Sequence, residues 1–346
     1  MRVVALGRFA INRWYRFWRV GVGRVGNPIY TCSASRKIPE NLQTSQTFVI
    51  EQEYNYFIMS SSFLPKRPVV MAYPKMPEAF AVAETVATYL KEKGLEVPCA
   101  SLYDEELRRR IKHGEFDLLI AVGGDGTMLR AGHLCAPSRV PILGINLGRL
   151  GFLIQVSRGE WREMIERMLN GEAWIENRMM LQVEHLRAGE VLGQWQALNE
   201  AAVSRGQYLR PVRLSASADG YLLTTYVADG LIASTATGST AYALAAGGPI
   251  LPPELRNILI VPIAPHLSVE RAVVLSEGSS VRIDVRSDNA VLSVDGQMPV
   301  GLAEDDHVDV RAAEYTAQFV RFGDAGYFYR NLTAHMNQNP SFGMSR

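Results

Sequence analysis

The chain has 346 residues, 47% of them hydrophobic and 21% charged, a globular composition with room for two domains and a core that needs no staples. Three cysteines (Cys32, Cys99, Cys135), none in a C-x-x-C pair, argue against a disulfide framework or structural zinc and point to a reducing compartment, the cytoplasm. No apolar run approaches the ~18 residues of a membrane-spanning helix, and a net charge of +1 is not that of a general nucleic-acid binder.

The charge is unevenly placed. Residues 1–59 hold eight Lys/Arg and three Asp/Glu, a net +5, and the remainder is at −4. No acidic residue precedes Glu40. Such an opening reads as a transit peptide, a nucleic-acid-binding arm, or an upstream extension ahead of a true start at Met59. Residues 1–66 are therefore read as a poorly ordered extension. Gly21-Val22-Gly23-Arg24-Val25-Gly26 spells G-x-G-x-x-G, but Asn27-Pro28 follows at once. Residues before a proline avoid the helical region, so the helix that would hold a pyrophosphate does not start here.

From Pro68 the elements alternate. Val69–Tyr73 reads as a buried strand, and Ala79–Lys93 as a helix with Pro77 in its first turn and Gly94 as its stop. Leu95–Leu102 supplies a strand, Asp104–Lys112 a helix, and Phe116–Val122 a strongly apolar strand. A helix over Met128–Cys135 and a strand over Pro141–Ile145 follow. This β/α alternation predicts a parallel sheet covered on both faces. Ser157 and Glu160 are spaced as a capping box for a helix running to Leu169. Ala173–Phe322 reads as short strands with an Asp219-Gly220 hairpin turn and a short helix over Ser239–Ala246. The fold class is thus an α/β domain with a parallel sheet (67–155) plus a β-rich antiparallel sandwich (156–322), followed by a closing segment (323–346).

The chemistry concentrates in Gly123-Gly124-Asp125-Gly126-Thr127, between the apolar strand and a helix. Glycines let the backbone turn and approach a ligand closely. Their N–H groups and the helix N-terminus attract phosphate. An aspartate there would repel phosphate, so it suits a proton acceptor for a hydroxyl nucleophile or a group that places Mg²⁺. Its structural alternative is an N-cap. No Lys follows a Gly, so a Walker A loop is absent, and the six histidines show no metal-ligand spacing. No protein-borne metal site is expected.

The ordered set of Gly123–Thr127, Gly144-Ile145-Asn146-Leu147-Gly148-Arg149-Leu150-Gly151-Phe152-Leu153, Asn199-Glu200, Ala228-Asp229-Gly230, Ser234–Tyr242, Gly247-Gly248-Pro249, Pro262–His266 and Asp295-Gly296-Gln297 resembles the NAD kinase family. The pentapeptide alone is shared with lipid kinases and phosphofructokinases. The resemblance implies phosphoryl transfer from ATP, or in some members polyphosphate, to the adenosine-ribose 2′-hydroxyl of NAD, with Mg²⁺. It implies a site between an α/β and a β-rich domain, and a closing segment that returns to the first. Asp125 matches the family's proposed base, and Gly126 would lie against the NAD ribose.

Arg130 would meet phosphate, or stand as a solvated helix charge. Asn199 and Glu200 offer donors and acceptors for the adenine edge or the ribose hydroxyls, and Arg210 follows them. Thr237, Thr240, Ala241 and Tyr242 make a small-residue loop into a helix, and Ala243, Leu244 and Ala245 continue that wall. Asp229 would reach the nicotinamide end, in some members from a neighbouring subunit, and Gln297 is a further candidate. Ala236 stands where the family usually has proline, and Val227 replaces a position that is often polar, basic or glycine. The expected partners are small-molecule nucleotides and further copies of the chain, in a homodimer or homotetramer. The competing readings are a lipid or diacylglycerol kinase and a non-catalytic NAD-binding regulator.

Overall fold

The structure is a computed structural model describing residues 63–148, 151–206, 210–266, 270–324, 326–330 and 332, with the backbone of short strands between residues 10 and 33. The chain divides into two units, Met1–Ile58 and Met59–Arg346. In the first, Phe17–Val22 pairs antiparallel with Pro28–Ser33. Gly21 and Val22 thus lie on a strand, and the rest of the G-x-G-x-x-G motif falls outside the described residues. The expected poor order of residues 1–66 falls largely outside the described residues.

In the second unit the fully buried strand Leu118–Gly123 lies between Pro68–Ala72 and Ile142–Asn146, all parallel. Apolar side chains on both faces account for its unbroken hydrophobic run. Helix α1 (Pro77–Glu92) buries Ala79, Val82, Ala83, Val86, Ala87 and Leu90, the three-and-four spacing of one helix face. It packs on one side of the sheet with α4 (Trp161–Leu169). Helices α2 (Glu105–Lys112) and α3 (Asp125–Cys135) cover the other. Each fully buried side chain such as Ile120 or Leu90 contributes about 1.5–3 kcal/mol relative to exposure.

The sheet does not stop at the α/β domain. Phe319, on the long strand His307–Phe322, pairs parallel with Ile142. The start of that strand pairs antiparallel with Val281–Val285. One eleven-stranded sheet therefore crosses the expected boundary near residue 155. Its antiparallel half faces a six-stranded sheet that includes Glu200–Arg205, Gly230–Ser234 and Ile258–Ile263. Leu214, Ile283 and Val308 meet Val203, Leu231 and Ile260 between the two. Asp219 and Gly220 both have positive φ, +51° and +83°, as a two-residue hairpin turn requires.

Some local expectations shift. The strand expected over 95–102 shortens to Cys99–Ser101, because Pro98 has no N–H for the ladder. The Pro98 carbonyl accepts from Val70 N at 3.0 Å. Helix α4 starts at Trp161 rather than Ser157. Ser157 touches Glu160 but lies on a short strand paired with Asn146, which holds its backbone extended. The helix expected over 239–246 is a 3₁₀ turn, Thr237–Thr240, followed by α5 (Tyr242–Ala245).

Candidate active site

Helix α3 begins three residues earlier than its apolar pattern suggests. Gly124 precedes it, and the Gly124 carbonyl accepts from Thr127 N at 2.8 Å and Met128 N at 3.2 Å. Asp125 is the first helical residue, not the cap, which removes the N-cap reading. Its Oδ2 accepts from the Phe152 N–H at 2.9 Å. Glycine is required on both sides of this arrangement. A Cβ on Gly151 would collide with the Asp125 carboxylate, and one on Gly123 with the Thr127 hydroxyl. The first turn of a helix leaves its leading N–H groups outside its own ladder. Arg130 folds back on that turn, donating from Nη1 to the Gly126 carbonyl at 2.8 Å. Its guanidinium lies 5.5 Å from the Tyr73 ring centroid.

A second wall is organised by Asp295, whose side chain is 1% exposed. Its Oδ1 accepts from Asn199 N and Glu200 N, both at 2.9 Å, and its Oδ2 from Leu198 N at 2.7 Å. His133, about two turns along α3 from Asp125, places Nε2 2.6 Å from the same Oδ2. A carboxylate only accepts, so the ring presents Nε2–H. Burial, then the Asp295 charge, push the Glu200 carboxyl up to about 8, although the Tyr242 backbone N–H favours its ionised form. Among the described residues Glu200 Oε2 has no hydrogen-bond partner. Such an atom is costly unless a ligand meets it.

The small-residue loop is seated on that wall. Thr235 N donates to the Asn199 carbonyl at 2.8 Å and Thr235 Oγ1 to the Leu198 carbonyl at 2.6 Å. A Cβ on Gly238 would strike the Asn199 carbonyl. Thr240 Oγ1 donates to the Thr237 carbonyl at 3.1 Å, and Tyr242 is exposed.

Both walls lie in the second unit, Met59–Arg346. The ATP-NAD kinase N-terminal domain model matches residues 48–173 and the C-terminal domain model residues 198–322. An NAD kinase of Chloroflexus aurantiacus is 38% identical over 277 residues, covering 79% of this chain and 99% of that protein. The chain belongs to the NAD kinase family. An NAD kinase of Heliobacterium modesticaldum is 39% identical over 272 residues, covering 76% of this chain and 95% of its own. A yeast NADH kinase solved with NADH matches with a TM-score of 0.70 at 25% identity, covering 82% of this chain and 91% of its own. An Archaeoglobus fulgidus NAD kinase solved with ATP matches at 0.62 and 28% identity, covering 78% and 98%. This kinase chain is an enzyme that phosphorylates NAD.

The structure brings Asp125, Gly123–Thr127, Asn199, Glu200, Thr237 and Tyr242 into one network. Ala243 departs from its expected place in the ligand wall. It is fully buried against Leu259 and Val261, so its side chain serves the core. Asp229 pairs with Arg205 at 3.0 Å. It lies just beyond Gly230, at the end of the ladder where Ser204 pairs with that glycine, while Glu200 pairs with Ser234 at the other end. That separates the two acids by roughly 14–17 Å along the strands. Arg210, Ala245 and Gln297 are exposed, and Leu244 and Ala241 are half-buried.

Sequence reading missed His133, Asp295, Glu176, Arg178 and Arg321. Asp295 was visible only as part of the Asp295-Gly296-Gln297 motif of the resemblance, and its value lies in three backbone contacts 95 to 97 residues away. Glu176 and Arg178, two apart in a strand flanked by Met179 and Met180, were a legible signal of a charged face inside a core.

Proposed function

We propose that the kinase moves the γ-phosphoryl group of ATP to the adenosine-ribose 2′-hydroxyl of NAD, with Asp125 taking the hydroxyl proton. The new bond joins ribose oxygen to phosphorus, the bond from phosphorus to the ADP oxygen breaks, and NADP and ADP leave. A ribose hydroxyl is a poor nucleophile at neutral pH, and a positioned carboxylate contributes ~10²–10⁴-fold. The observation that carries the reading is the Asp125 carboxylate fixed by the Phe152 N–H, one residue beyond paired glycines and at a helix N-terminus. Gly123, Gly124, Gly126 and Thr127 supply the phosphate-facing backbone, and Arg130 adds charge.

The NADH-bound and ATP-bound relatives support nucleotide binding as such. Asn199 and Glu200 suit the adenosine half of NAD, with Thr237, Thr240, Ala241, Tyr242, Leu244 and Ala245 as the adjoining wall. The unpartnered Glu200 Oε2 is an acceptor, or a donor when protonated, waiting for a ligand. Arg210, Asp229 and Gln297 suit the periphery of the pocket. Among the described residues no cluster of three His, Cys, Asp or Glu is placed to hold a metal. A single carboxylate beside phosphate-binding N–H groups fits a Mg²⁺ carried in by ATP, as magnesium is usually held by substrate phosphates and water. When bound, it neutralises phosphate charge. A cytoplasmic homodimer or homotetramer completes the reading, and among the described residues no helix is long and apolar enough to cross a membrane.

The test is incubation of purified protein with NAD, ATP and Mg²⁺, with NADP read by an NADP-specific dehydrogenase. Absence of NADP from folded protein at high concentration rejects the assignment.

A further inference from the structure

Behind the Asp125 loop, Glu176 and Arg178 share one face of the strand Ala173–Arg187, and Phe319 and Arg321 share a face of its partner His307–Phe322. Glu176 pairs with Phe319 in the ladder, so the four side chains form one patch. The Phe319 ring sits against both guanidinium groups, 5.8 Å from Arg178 and 5.3 Å from Arg321. Glu176 Oε2 receives both: Arg178 Nη2 at 2.9 Å and Arg321 Nε at 2.7 Å. All three charged side chains are at most 12% exposed. Burial would raise the Glu176 pKa, but Arg321 and Arg178 overcome it and hold the carboxyl down to about 2.

Each end of this chain of charges reaches the site. Arg321 Nη1 donates to the Leu153 carbonyl at 3.0 Å, the residue after the Phe152 whose N–H holds Asp125. Arg178 Nη1 donates to Thr237 Oγ1 at 3.3 Å, in the small-residue loop. Tyr327 senses the same ensemble. Burial raises its phenol, Arg321 opposes this, and the Asp125 and Glu176 charges add to it. Buried ion chains of this kind are poor sources of net stability. They are rigid and directional, which suits alignment.

We propose that Arg178, Glu176 and Arg321 form a positioning clamp that keeps the Thr237 loop in register with the Phe152–Leu153 backbone holding Asp125. Arg178 and Arg321 then touch neither reacting atom and act through Thr237 and Asp125. Lysine cannot replace either, because a single ammonium on a flexible stem does not span two acceptors as a guanidinium fork does. The inference rests on Asp125 being the base.

The test compares kcat and the KM for NAD of Arg178→Lys, Arg321→Lys and Thr237→Val, each in the wild-type and the Asp125→Asn background, with folding followed by circular dichroism. In the wild-type background each arginine substitution is expected to lower kcat ~10- to 100-fold, the scale of a misplacement of about 1 Å, with the NAD KM changed less than ~3-fold. In the Asp125→Asn background the same substitutions are expected to cost ~2-fold or less, the non-additivity of residues acting as a unit. Equal fold-losses in both backgrounds, losses confined to KM, or no loss overturn the clamp. If the arginine variants do not fold, Thr237→Val decides, since it removes only one hydroxyl. A kcat loss of ~3-fold or more that shrinks in the Asp125→Asn background supports the clamp, and any other result rejects it. Near-normal turnover of Asp125→Asn alone rejects the base and the clamp together. A large loss there with additive clamp variants rejects the clamp only.

Discussion

His133 Nε2 donates to Asp295 Oδ2 across 2.6 Å, joining two residues 162 positions apart. His133 rides on the helix that opens with Asp125. Asp295 gathers the backbone N–H groups of Leu198, Asn199 and Glu200. This contact therefore ties the helix that carries Asp125 to the strand end that carries Asn199 and Glu200. Three N–H donors and one imidazole suffice to keep a carboxylate buried, since each is a charge-assisted bond.

Asp295→Asn replaces an acceptor with a group whose NH₂ faces backbone donors. At least one buried N–H then loses its partner, at about 1–3 kcal/mol. The variant is expected to unfold at lower urea and to show a raised KM for NAD, as Asn199 and Glu200 shift. His133→Ala leaves the three N–H bonds in place and is expected to cost only about 1 kcal/mol. Urea titrations and NAD saturation curves check both. A His133→Ala loss larger than that of Asp295→Asn contradicts the assigned order of importance.

Asp125→Asn is expected to lower kcat by at least ~10²-fold while keeping the fold. Gly151→Ala provides an independent approach to the same atom. Its Cβ would enter the space of the Asp125 carboxylate, which must then swing away from the Phe152 N–H. Gly151→Ala is thus expected to reproduce the kinetic defect with Asp125 chemically intact. Steady-state NADP formation and thermal unfolding measure the two variants side by side. Wild-type turnover in Gly151→Ala contradicts the geometry.

Periodicity and turn residues made most of the fold legible. The run Leu118–Gly123 is apolar because both its faces are covered, and Pro77 and Gly94 punctuate α1 as their backbone limits require. The Gly123–Thr127 loop and Asn199-Glu200 were legible as motifs. What stayed hidden depends on long-range contact. The early start of α3 was masked because glycines read as loop, although the Gly124 carbonyl closes the first turn. Continuity of the sheet through Phe319 and Ile142 leaves no local mark. His133 looked like any scattered histidine, since only the fold places Asp295 beside it.

The four apolar clusters of the second unit are built from Phe63 onward. A chain starting at Met59 keeps all of them. It is expected to retain a melting temperature within about 5 °C of the full chain, a shift corresponding to about 1–2 kcal/mol. Its NADP-forming kcat is expected to stay within ~2-fold, because all the site residues and partners named above lie beyond Phe63. Calorimetry and the coupled assay on both chains test this. Loss of cooperative unfolding in the shorter chain refutes it.

Glu200 gives the apo enzyme a specific pH signature. Its folded pKa of about 8 lies above the ordinary 4.5, so between those values the folded chain keeps a proton that the unfolded chain has released. Unfolding then releases that proton, and stability falls as pH rises through the window. Below about 4.5 both states are protonated and Glu200 adds no penalty. Above about 8 the carboxylate is ionised in both states, and its burial beside Asp295 costs the full amount. Glu200→Gln keeps the shape and removes the titration. Relative to that variant, the wild type is expected to lose on the order of a few kcal/mol of unfolding free energy between about pH 5 and pH 9. Denaturant titrations of both proteins across that range measure the difference. A pH-independent gap between them shows that the carboxyl titrates at its ordinary value, with water or a cation meeting Oε2.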